Sequence, residues 1–147
     1  MTGEIRPVLA NSCARAATAE EARFRIDRPI GGRSALVVAL DEQAAHVVDR
    51  VARRPWRGAR FRHANDPLPS LEDVDAVVMV ATPEADGEVA AALARACAER
   101  GIMTAGLILG ERLEAADALA RLRPYARNLM VTSDEDDVAE VLTALRA

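Results

Sequence analysis

The sequence predicts a single three-layer α/β domain on a parallel sheet of about five strands, and three observations predict it. Strand-like and helix-like segments alternate from residue 35 onward. Two of the strand segments, Ala35-Leu-Val-Val-Ala-Leu40 and Asp75-Ala-Val-Val-Met-Val-Ala81, are almost wholly apolar, as expected of strands buried on both faces. The helical segments stop at residues that stop helices: Pro55, Gly101 and Pro124. Alternation of this kind needs right-handed crossovers, which makes the sheet parallel and Rossmann-like. The expected strand order is 2-1-3-4-5.

Residues 1–34 are read as an N-terminal arm, or a short helix plus a hinge, ahead of a domain spanning 35–147. Thr18-Ala-Glu-Glu21 has the form of a capping box, and Ile30-Gly-Gly-Arg-Ser34 has the composition of a hinge. The first strand is Ala35–Leu40. A helix follows over 42–53, with Ala45, Val48 and Ala52, or Val47 and Val51, on one face. Arg60-Phe-Arg-His63 alternates and reads as a partly exposed second strand. Asn65-Asp-Pro-Leu-Pro69 is a loop, because its two prolines break both helix and ladder. The third strand is Asp75–Ala81, and an Ala-rich helix spans 85–100. Ile102–Leu109 is the fourth strand, 111–123 a helix, and Asn128–Thr132 the fifth strand. Ser133 is expected to cap the last helix. Asp134, Glu135, Asp136 and Asp137 fall in its first turn, where the helix dipole favours negative charge.

Composition removes several chemistries. All 19 basic residues are arginine, which excludes a Walker A lysine, a Schiff-base lysine and a lysine general base. The net charge of −4 gives no general attraction to nucleic acid or anionic membrane. Aromatics at 3% argue against stacking platforms for single strands. Cys13 and Cys97 have no metal-like spacing and make no disulfide framework. Cys97 sits in a run of small apolar residues and reads as core. No apolar run reaches membrane-span length, and the first 30 residues carry charges throughout. A cytoplasmic protein with no membrane association, no cofactor and no metal is therefore expected.

In a sheet of this order, ligands bind at the carboxyl ends of the strands flanking the switch point, here the first and third. The candidate crevice residues are Asp41, Glu42, Thr82, Glu84, Asp86 and Arg112. A phosphate cradle needs glycines for close backbone approach, and the first loop has none. Four of the six candidates are carboxylates, which repel phosphate. Neither histidine has a catalytic setting: His46 falls on the first helix and His63 ends an Arg-rich strand. No serine has a nucleophile-elbow context. The second anomaly is an arginine cluster around Trp56: Arg53, Arg54, Arg57 and Arg60, with Arg50 and Arg62 beside them. It reads either as a solvated helix end or as a docking patch anchored by Trp56. Nucleic-acid binding through it is the lesser reading, because the patch is short and the chain acidic.

The series Ala35–Leu40 with Ala45-His-Val-Val-Asp-Arg50, then Phe61-Arg-His-Ala-Asn-Asp66, Asp75–Ala81, Arg95–Ile108 and Asn128-Leu-Met-Val-Thr-Ser-Asp134, carries a resemblance. Over roughly residues 35–134 it resembles the Rossmann-like GTPase domain of the tubulin/FtsZ family. The family's glycine-rich motifs are missing, and Thr82-Pro-Glu-Ala-Asp-Gly87 stands where its Gly/Thr run would be. Its second domain, which supplies hydrolytic carboxylates between subunits, is not in this sequence. The resemblance therefore implies a relative that kept the sheet and lost GTP chemistry.

Two functional expectations follow. The first is a non-catalytic interaction or regulatory domain, a homo-oligomer or the partner of another protein, using the Trp56 patch or the helix face of Ala90, Ala94 and Ala98. The second is a small-molecule binder or enzyme using the crevice at the ends of the first and third strands.

Overall fold

The computed structural model describes residues 32–67 and 70–147. The capping-box reading at Thr18–Glu21 and the start of the hinge lie outside them. Five strands and four helices alternate: β1 (Ala35–Ala39), α1 (Glu42–Ala52), β2 (Ala59–His63), β3 (Ala76–Ala81), α2 (Glu88–Arg100), β4 (Met103–Leu109), α3 (Ala116–Leu122), β5 (Asn128–Thr132) and α4 (Asp136–Ala144). The sheet order is β2-β1-β3-β4-β5, and every pairing is parallel.

The apolar runs of β1 and β3 are buried along their whole length. Side chains alternate across a strand, so one run feeds two cores. Leu36, Val38, Val77 and Met79 face α2 and α3, where Ala90, Leu93, Cys97, Ala118 and Leu122 meet them. Val37, Ala39, Val78 and Val80 face α1 and α4, with Val47, Val48, Val51, Val138 and Leu142. Each such aliphatic side chain contributes about 1.5–3 kcal/mol of burial. The buried stripe of α1 is Ala44, Val47, Val48 and Val51.

Two helices begin later than their sequence suggests. Residues 82–87 form turns before α2, held by the Ala85 N–H on the Thr82 carbonyl and the Glu88 N–H on Asp86 Oδ1. Residues 112–115 turn before α3, where Leu113, 93% exposed, has no core to face. Gly101 ends α2 in the left-handed region at φ 67, a conformation that costs glycine little. Among the described residues the β2–β3 connection carries no helix. Leu71 and Val74 from this stretch pack into the α2–α3 core instead.

Candidate functional site

The switch point lies between the carboxyl ends of β1 and β3. Asp41 follows β1 directly and is the N-cap of α1, with extended backbone at φ −146. One carboxylate oxygen, Oδ1, accepts the Ala44 N–H at 2.8 Å. The other, Oδ2, accepts the Thr82 N–H at 2.7 Å, across the switch point. A single side chain thus satisfies an orphan donor of the helix and a donor at the end of β3. This is where an anion bound to this architecture would accept its hydrogen bonds.

The other crevice candidates surround that clamp. Thr82 is 6% exposed, and its Oγ1 has no hydrogen-bond partner among the described residues. Glu42 is exposed in the first turn of α1. Glu84 and Asp86 are exposed, and Asp86 is engaged with the Glu88 N–H at 3.1 Å. Arg112 is exposed in the turn after β4. The neighbouring loops close over each other. Gly110 has φ +153, and a Cβ there would come 3.1 Å from Pro83 Cγ. The Arg121 guanidinium donates to the Pro83 carbonyl at 3.0 Å. Of the six candidates, the structure brings Asp41 and Thr82 into contact and leaves the other four exposed.

The arginine cluster is divided by the fold. Trp56 is half-buried against the α1–α4 core, and its indole N–H donates to the Val51 carbonyl at 2.8 Å. Arg54 pairs with Asp136 at 3.0 Å, and Arg50 pairs with Glu135. The acidic start of α4 therefore meets the arginines of α1, a pairing that joins two sequence clusters 82 to 85 residues apart. Both pairs are exposed, so each contributes about 0–1 kcal/mol. Arg53 and Arg57 are exposed. Arg60 reaches the Glu72 carbonyl at 3.5 Å. Ser133 is not the cap of α4. Asp134 Oδ1 accepts the Asp136 N–H at 2.9 Å, while the Thr132 hydroxyl accepts from the Asp134 N–H and donates to the Asp137 carboxylate. Of the acidic run expected in the first turn, only Asp136 and Asp137 lie there, because the helix starts at Asp136; Asp134 and Glu135 precede it.

The open concavity lies one strand over. A hollow of about 210 Å³ sits between the end of β2 and the first turns of α2. Val38, Val89 and Leu93 line its apolar part, and Arg62, His63, Asp66 and Glu88 its polar part. His63 Nε2 lies 2.8 Å from Asp49 Oδ1, and the His63 N–H donates to Asp66 Oδ2 at 2.9 Å. None of these four polar residues stands out in the sequence as a ligand contact. The available signal is in the sequence after β2, where two prolines within 65–69 disfavour a crossover helix. A wider groove of about 550 Å³ lies at the opposite end, lined by Ala94, Ala98, Ile102, Arg123, Tyr125 and Arg127. Ala90, expected on the same helix face, is fully buried and belongs to the core. Cys97 is core as expected; burial pushes its thiol pKa up, and the nearby Arg100 pulls it partly back. Among the described residues no group of three or more His, Cys, Asp and Glu could hold a metal ion, and no helix is long and apolar enough to cross a membrane.

A scan against protein-family models finds no match to the chain, and a search of curated proteins finds none.

Proposed function

We propose that this domain is a non-catalytic interaction or regulatory module, acting as a homo-oligomer or with a protein partner in the cytoplasm, in which the Rossmann-like sheet persists without phosphate chemistry. The observation that carries the reading is the Asp41 clamp. An external phosphate at the start of α1 would compete with a carboxylate already bonded to the Ala44 and Thr82 N–H groups. Glu42 follows Asp41 at the start of α1, and Glu84 and Asp86 follow Thr82 in the loop after β3, so the loops on either side of the switch point carry negative charge. Such acidic loops disfavour it further. This is also what the tubulin/FtsZ resemblance implies. The sheet order itself is shared by many doubly wound folds and does not single out that family.

The test is titration calorimetry with GTP, GDP and ATP, together with a phosphate-release assay. No saturable heat and no release are expected. Turnover that disappears in Thr82→Ala would overturn the reading.

A second reading is a small-molecule binder, favoured by the 210 Å³ hollow beside the Asp41 clamp. Its apolar floor with Arg62 and Glu88 on the rim suits a small amphipathic molecule better than a polyphosphate. A copurifying molecule seen by native mass spectrometry and lost in Leu93→Arg would favour it.

A further inference from the structure

The two edges of the sheet are protected very differently. An edge strand presents unpaired N–H and C=O groups, and charged side chains are a common guard against another strand docking there. At one edge, β2 reads Ala-Arg-Phe-Arg-His, with Arg60 and Arg62 exposed. At the other edge, β5 reads Asn-Leu-Met-Val-Thr and has no charged residue and no proline. Among the described residues β5 has β4 as its only strand neighbour. Met130 is 44% exposed, one of two large apolar side chains so exposed among the described residues.

The backbone phase of β5 is fixed by one bond. The Thr132 carbonyl turns inward, accepting the Gly110 N–H at 2.8 Å. Alternation along the strand then turns the N–H and C=O groups of Leu129 and Val131 outward, to the free edge.

We infer that β5 is a self-pairing edge: two copies of this chain join β5 to β5, antiparallel, about a two-fold axis at Met130. This inference rests on the homo-oligomer part of the proposed function. In that register Leu129 of one copy faces Val131 of the other and exchanges both backbone hydrogen bonds with it, and the two-fold repeats the pair. Met130 faces Met130 as a non-hydrogen-bonded pair, the closer kind, so the two exposed thioether side chains cover each other. Asn128 faces Thr132. No like charges are opposed within the strand. Just beyond it, Arg127 comes up to the partner copy's acidic α4 start at Asp134. Arg127 is exposed, and no carboxylate lies within ion-pair distance of it among the described residues. The ends are thus complementary in charge, whereas β2 against β2 about Phe61 would set Arg60 of each copy against Arg62 of the other.

The test is sedimentation velocity on the full chain across a micromolar to submillimolar series, with Met130→Lys as the disrupting variant. A dimer is expected for the wild type and a monomer for Met130→Lys, with an unchanged far-UV circular dichroism spectrum. Met130→Cys in a Cys13→Ser background supplies the positive arm. Oxidation is expected to yield a covalent dimer under denaturing, non-reducing conditions, while Cys13→Ser alone yields none. A wild type that stays monomeric overturns the inference. A wild-type dimer that survives Met130→Lys, or a Met130→Cys variant that fails to cross-link, also overturns it but leaves oligomerisation through another face standing. Nucleotide titration reads the loss of phosphate chemistry separately from any of these outcomes.

Discussion

Two sites at the carboxyl end of the same sheet, one strand apart, have opposite fates. Between β1 and β3 the chain places the carboxylate of Asp41, which bridges the start of α1 and the end of β3. Between β2 and α2 a hollow of about 210 Å³ stays open, with Arg62 and Glu88 on its rim. The difference comes from what the chain supplies at each place. At the first it provides an acceptor with two oxygens against two orphan N–H donors. At the second, Val38, Val89 and Leu93 form an apolar floor beneath polar residues from the end of β2 and the start of α2. A topological switch point therefore marks where a ligand could bind, and the local residues decide whether the protein fills the place itself.

The strongest way to break this comparison is at Asp41. Asp41→Ala removes a helix cap worth about 1 kcal/mol and leaves the Thr82 N–H unpaired at a cost of about 1–3 kcal/mol, so a loss of about 2–4 kcal/mol is expected. Urea unfolding measures it as a fall in midpoint at unchanged slope. Asp41→Asn keeps one carbonyl acceptor and should fall in between. A loss below that of an ordinary exposed cap would mean that the bridge to Thr82 adds nothing.

Thr82 sharpens the same comparison from the opposite direction. Its hydroxyl is buried without a partner among the described residues, which is an unusual state for a polar group. Thr82→Val keeps the shape and removes the unpaired oxygen, and a gain of about 1 kcal/mol is expected from the relieved desolvation. A loss instead would show that the hydroxyl is satisfied in solution, by water or by a ligand. The hollow should behave as an open surface does. Glu88→Gln and Arg62→Gln, both at exposed residues, are expected to move stability by less than about 0.5 kcal/mol each in the same assay.

The legible part of this molecule follows the range of the interactions. β1 and β3 announce themselves because burial on both faces demands an unbroken apolar run, and five parallel strands follow from the alternation of elements. The Asp41 cap is legible too, since its partner Ala44 lies three residues on. The Thr82 half of the clamp is not, because it spans 41 residues and depends on the register of two strands. For the same reason the arginines of α1 and the acidic start of α4 read as two separate anomalies, whereas in the fold Arg50 and Arg54 face Glu135 and Asp136. The late starts of α2 and α3 are hidden by good helix formers, Ala85 and Glu111 to Ala115, in segments that the loops hold as turns. The hollow is the least legible feature, since its lining comes from β1, the end of β2 and the start of α2, which only the fold brings together.

The smallest expected effect concerns a second pair of helix starts. Both α1 and α4 place carboxylates at their amino ends, but Asp41 is partly buried and bonded to backbone, while Asp136 is exposed and paired with a flexible Arg54. Screening and side-chain entropy weaken an exposed pair, so a double-mutant cycle of Arg54→Ala and Asp136→Ala should give a coupling of about 0.2–1 kcal/mol. Because the Debye length falls to about 3 Å in molar salt, that coupling should vanish there, whereas the Asp41→Ala loss should persist. A coupling that survives molar salt would place the α1–α4 contact in the same class as the Asp41 clamp. The contrast would then lie between the carboxylates bonded at both helix starts and the exposed Arg62 and Glu88 on the rim of the hollow.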